Sequence, residues 1–161
     1  MTEEQPTGET ARLSAAAQRI QVAERAGGCC EYCRSQQSLS HDDFAVEHIQ
    51  PRAQGGTDEP DNLALSCQAC NNRKFTATRA PDPLTGEPAP LFHPRQQKWS
   101  EHFAWTDDFA QVFGLTETGR ATVERLQLNR PGLVNLRRAL RVAGKHPPAF
   151  QEEPPSENQP S

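Results

Sequence analysis

The sequence predicts an α+β fold: a small strand–loop–strand–helix unit, stapled by four cysteines and flanked by helices and disordered ends. Three observations carry that expectation. Two Cys-x-x-Cys pairs, Cys30/Cys33 and Cys67/Cys70, frame a 33-residue insert. That insert reads as a strand in F-A-V-E-H-I, breaks at Pro51, and returns through Gly55-Gly56 to N-L-A-L-S. Finally, only 34% of the 161 residues are hydrophobic and 14 are prolines, so the chain can bury one modest core that needs help from a metal.

Taken in order, residues 1–12 are polar and acidic and read as disordered. A leading helix runs from Leu13 to Ala26 with Ile20 and Val22 as core contacts, and Gly27-Gly28 ends it. Cys30 to Cys33 is a knuckle turn. Cys29, the leftover thiol, reads as a small buried apolar residue. On the first strand Phe44, Val46 and His48 share one face, and Ala45, Glu47 and Ile49 the other. After the second strand, N-N-R-K-F-T-A-T-R behind Cys70 reads as a short helix. Residues 13–80 form the core unit on this reading, and 81–91 a linker rich in Pro and Gly. Residues 92–146 form an extension anchored by Phe92, Trp99, Phe103 and Trp105. It holds a strand or hairpin around D-F-A-Q-V-F-G, a helix starting near Thr116 or Thr118, and a last basic helix over 133–142. Residues 147–161 are a disordered tail.

Four thiolates in two such pairs suit a tetrahedral zinc ion, and a site filled by four protein ligands is structural because no position stays open. The N-terminus lacks the apolar run of a signal peptide, and no stretch approaches the roughly 20 residues that cross a bilayer. A reducing, cytoplasmic location is expected, where such pairs are metal ligands rather than disulfides. The net charge is −4, yet seven basic residues face two acidic ones between Glu117 and Lys145. That segment is either a solvated helix face or a track for phosphates.

Cys-x-x-Cys, E-H-I-x-P, Gly-Gly, D-N-L and Cys-x-x-Cys-N-x-x-K together resemble the HNH endonuclease family, in its zinc-stapled form with a ββα-metal site. The spacing of 14 residues from His48 to Asn62 and 9 from Asn62 to Asn71 is similar to that family's. The run F-H-P-R-Q-Q-K-W-S-E-H-F and the later L-N-R-P are similar to the C-terminal extension of a bacterial subgroup. The resemblance implies a metal-dependent hydrolase of DNA phosphodiesters, most readily double-stranded. It makes His48 the general base, with Asn62 holding the His-bearing segment. It has Glu47 and Asn71 bind Mg²⁺ or Mn²⁺, and puts Arg73 or Lys74 near the phosphate. Arg137, Arg138 and Arg141 would then extend the phosphate contacts along the duplex. His93 and His102 are expected to pack or hydrogen-bond rather than bind metal.

Two other readings compete. A zinc-stapled nucleic-acid binder without cleavage would use the same basic residues. A rubredoxin-like iron site would leave Glu47, His48, Asn62 and Asn71 without a role.

Overall fold

The computed structural model describes residues 14–149, so the expected disorder of 1–12 and of most of the tail lies outside them. Helix α1 (Ala15–Arg25) starts where the Ser14 side chain accepts a hydrogen bond from the Ala17 N–H, satisfying one orphan donor of the first turn. Val22 and Ala26, one turn apart, are buried. Ile20 is 59% exposed, contrary to expectation. Positions two apart on a helix differ by about 200° in direction, so Ile20 cannot follow Val22 inward.

The unit at the centre is a hairpin and a helix. Strands β1 (Ala45–His48) and β2 (Leu63–Ser66) pair antiparallel, with His48 opposite Leu63 and Glu47 opposite Ala64. Helix α2 (Gln68–Lys74) follows at once, capped by the Cys67 sulfur, which accepts from the Cys70 N–H. It starts before Cys70 rather than after it, so Cys70 and Asn71 lie within the helix, and it stops at Lys74 instead of running on to Arg79. The first knuckle docks on β2: the Glu31 N–H donates to the Leu65 carbonyl, and the Glu31 carboxylate accepts from the Leu65 N–H.

The loop joining the strands has two glycines with different duties. Gly55 adopts φ +87°, which suits a residue without Cβ. At Gly56 a Cβ would lie 1.8 Å from the Gln50 carbonyl oxygen, so no side chain fits there.

Residues 81–91 are not a linker. Strands β3 (Arg79–Pro81) and β4 (Pro88–Pro90) form a hairpin whose turn is closed by the Gly86 N–H donating to the Asp82 carbonyl. Arg120 grips the buried Asp82 carboxylate with two bonds, 2.9 and 2.8 Å. The prolines mislead because both strands are only three residues long, and a two-stranded edge tolerates missing N–H donors. Helix α3 (Trp99–His102), the hairpin β5 (Phe103–Trp105) and β6 (Val112–Gly114), and helices α4 (Glu117–Leu126) and α5 (Pro131–Val142) complete the chain. Thr116 caps α4 through its hydroxyl, as expected from the sequence.

One hydrophobic cluster runs through everything, from Val22 through Tyr32, Leu63 and Phe92 to Leu126 and Leu133. Phe92 and Phe103 meet edge to face at 5.2 Å. The Trp99 indole donates 3.0 Å to the Tyr32 carbonyl inside the first knuckle. Core unit and extension therefore share one interior. Among the described residues no helix is long and apolar enough to cross a membrane.

Candidate nuclease site and zinc centre

The Sγ atoms of Cys30, Cys33, Cys67 and Cys70 lie within 4.8 Å of one another, and all four residues are buried. Tetrahedral zinc with Zn–S near 2.3 Å sets sulfurs roughly 3.8 Å apart, and Cys33 and Cys67 stand 3.7 Å apart. The donor set fits a structural zinc ion. Cys29, also buried, stays out of the group, and its Sγ reaches the Gly27 carbonyl at 3.7 Å.

Alternation along β1 sends its two expected functional residues to opposite sides. Glu47 turns inward and is 4% exposed. Its Oε1 lies 2.6 Å from Lys74 Nζ, and its Oε2 accepts from the Tyr32 hydroxyl at 2.5 Å. Burial raises the Glu47 carboxyl above its usual range, and the Lys74 charge opposes that rise. Lys74 itself is 1% exposed and also donates to the Ile49 carbonyl. It offers no cation to a phosphate at the surface, which corrects the expectation for that residue. With both oxygens engaged, Glu47 does not fit a divalent ion as it stands. Among the described residues, no cluster of three or more His, Cys, Asp or Glu donors exists besides the four cysteines. Asn71 is half-buried, and its side-chain amide has no hydrogen-bond partner among the described residues.

His48 turns outward. Its Nε2 lies 2.7 Å from Asp58 Oδ1, and Arg52 holds the same oxygen at 2.7 Å. Arg52 Nε also lies 3.2 Å from His48 Nε2. Both bonds to Nε2 cannot form at once, since one needs a donor and the other an acceptor. The shorter contact to a carboxylate selects Nε2–H, leaving Nδ1 as the proton acceptor. The His48 bond and then Arg52 hold Asp58 below the usual carboxylate range.

Asn62 braces this loop from beneath. Its Oδ1 accepts the Gln50 N–H at 2.8 Å, while Nδ2 donates to the carbonyls of Gln50 and Thr57. These bonds tie the chain just after His48 to the chain just before Asp58. Arg73 is exposed at the end of α2, and its carbonyl accepts from Arg125 Nε.

The basic segment divides. Arg138 and Arg141 are exposed, and the Arg141 guanidinium lies over the Phe109 ring at 5.1 Å. Arg137 is 2% exposed and donates to the carbonyls of Ala110 and Cys33 while stacking on Trp105. Desolvation pushes it down to about 10, so it stays charged at neutral pH. Arg137 is therefore a core residue, and its expected phosphate contact is corrected. His93 Nδ1 accepts from the Arg95 N–H, and His102 Nδ1 bonds Thr116.

Asp58, Arg52 and Tyr32 are the residues that sequence reasoning missed. Tyr32 carried a signal, lying between two ligands in C-E-Y-C. Asp58 carried none, because only the fold of the loop brings it to His48.

A two-stranded hairpin with an outward histidine, a helix behind it and four convergent thiols that could hold a metal define a ββα unit with a staple site. The family comparison gives the same result from sequence: residues 30–76 match the HNH endonuclease model. Over that segment, less than a third of the chain, the protein is similar to HNH endonucleases. Comparison with curated proteins and with solved structures yields no significant match.

Proposed function

We propose that this protein is an endonuclease hydrolysing DNA phosphodiester bonds, with His48 as general base. The observation that carries this reading is the outward His48 whose Nε2–H is engaged by Asp58, itself fixed by Arg52. A base must hold its accepting nitrogen toward solvent in a defined tautomer, and Asp58 supplies that bias. His48 Nδ1 would take a proton from the attacking water. Asn62 would keep the loop rigid, and the exposed Arg52, Arg73, Arg138 and Arg141 would contact phosphates without reading sequence. A divalent ion, which the family implies, would bring Lewis-acid stabilisation of the leaving oxygen. Asn71 has a free amide for it, whereas Glu47 would first have to exchange Lys74.

The test is plasmid nicking with Mg²⁺ or Mn²⁺ by wild type and His48→Ala. Nicking by wild type alone is expected. Activity surviving in the variant would remove His48 as the base. Binding without nicking by wild type would favour the second reading, a zinc-stapled nucleic-acid binder, which the engagement of Glu47 by Lys74 and Tyr32 keeps open.

A further inference from the structure

The turn Asn129-Arg130-Pro131 joins α4 to α5, and nothing in the proposed hydrolysis uses it. Its central residue reaches back 63 and 60 residues along the chain to Cys67 and Cys70. Arg130 Nη2 lies 3.5 Å from Cys67 Sγ, and Nη1 lies 3.7 Å from Cys70 Sγ. Both are within range for N–H donors to sulfur. One guanidinium thus spans both thiols of the second knuckle.

The turn is built to hold it there. Gln127 takes the left-handed conformation that ends α4. Asn129 pairs with the Val112 backbone in both directions, accepting its N–H at 2.7 Å and donating to its carbonyl at 2.8 Å. Pro131 then fixes the first position of α5. Arg130 is flanked on both sides by residues without freedom, which lowers the entropic cost of aiming its side chain.

The chemistry gives the guanidinium a purpose. Zinc with four thiolates carries a net charge of −2 in a buried place, where uncompensated charge is costly. Charge-assisted N–H···S bonds delocalise electron density from the sulfurs and stabilise their thiolate form. We infer that Arg130 is an outer-sphere component of the zinc centre, positioning Cys67 and Cys70 and retaining the ion, so that the extension completes the metal site. Arg137, donating to the Cys33 carbonyl, braces the first knuckle from two turns further along α5. This inference rests on the four-thiolate site and is independent of whether the protein cleaves DNA.

Arg130 also donates to the Leu126 and Gln127 carbonyls at 3.4 and 3.2 Å, so a merely structural cap must be told apart from a role at the metal. The full chain is loaded with Zn²⁺, and affinity is read by chelator competition in wild type, Arg130→Met, Arg130→Lys and Val112→Ala. The last is a core truncation that leaves the guanidinium in place. In parallel, Co²⁺ replaces zinc and the thiolate-to-cobalt charge-transfer band is recorded. Arg130→Met is expected to lose about 10- to 100-fold in metal affinity, the usual range for an outer-shell partner, and to move the band to lower energy. Arg130→Lys should fall between it and wild type, and it carries the test if Arg130→Met does not fold. Val112→Ala should lose stability with the band in place. An unmoved band and unchanged affinity in the Arg130 variants would overturn the inference. So would an equal affinity loss in Val112→Ala, or a wild-type chain that takes up no zinc at the four thiols.

Discussion

Lys74 and Glu47 form an ion pair inside the protein, Nζ 2.6 Å from Oε1, with the two residues 1% and 4% exposed. Such a pair is costly to break from one side, because the remaining charge stays buried without its partner. Lys74→Met should therefore destabilise the fold by roughly 3 kcal/mol or more, read as a fall in the urea midpoint. The double variant Lys74→Met/Glu47→Leu should recover much of that loss. A single variant as stable as wild type would mean that the pair is open in solution.

Asp58 is expected to matter through His48 alone. Asp58→Asn keeps the shape but removes the acceptor charge that fixes the Nε2–H tautomer. Nicking should fall by about 10²-fold, within the range for a misaligned acid–base group. Thermal stability should hardly move, because the His48–Asp58–Arg52 group is exposed. A large drop in melting temperature with unchanged turnover per folded molecule would assign the trio to structure.

The two neighbouring arginines of α5 should separate cleanly. Arg138→Ala removes an exposed charge, so it should flatten the salt dependence of DNA binding by about one unit of slope and spare the melting temperature. Arg137→Ala should do the reverse, since it strips two carbonyls and Trp105 of a buried partner. Equal salt slopes for wild type and Arg138→Ala would remove α5 from the DNA-binding surface.

Acid should expose the Asp82–Arg120 contact. Arg120 holds the Asp82 carboxyl at about 2 instead of 3.8. A depressed folded-state value means stability that is complete above about pH 4 and drains as pH falls through about 2. The gap in urea midpoint between wild type and Asp82→Asn should thus be widest near pH 5 and close by pH 2. A gap that does not change with pH would show that the carboxylate charge is not what Arg120 holds.

Chelation of zinc should unfold the described chain as one. Structural zinc contributes roughly 10 kcal/mol or more of apparent binding energy in small modules, above the total stability of many domains. Because Tyr32, Phe92, Phe103 and Leu133 belong to the same core cluster, loss of the staple should remove near-ultraviolet signals from Trp99 and Trp105 as well. Retention of those signals in Cys67→Ser would show that 92–146 folds on its own.

The parts of this structure legible in the sequence were those written in local chemistry. Cysteine spacing located the four-thiol site, the run F-A-V-E-H-I before Pro51 located β1, and Thr116 stood near the start of α4. What escaped was long-range. Asp58 meets His48 only because Asn62 ties Gln50 to Thr57, and Arg137 and Arg138 differ in burial by nothing but one helical step. The opposite faces expected of Glu47 and His48 are kept by the regular register of β1, and each finds its own partner there.

The Trp99 indole bond to the Tyr32 carbonyl bears on how this unit can be transplanted. A segment cut at the limits of the family match would leave that carbonyl, the Cys33 carbonyl and two sulfurs without their donors. Grafting residues 30–76 into another host should fail unless Trp99, Arg130 and Arg137, or residues with equivalent donors, travel with them. The cassette that recombination or engineering could move is then the whole of 14–149, nearly three times as long as the motif that names it.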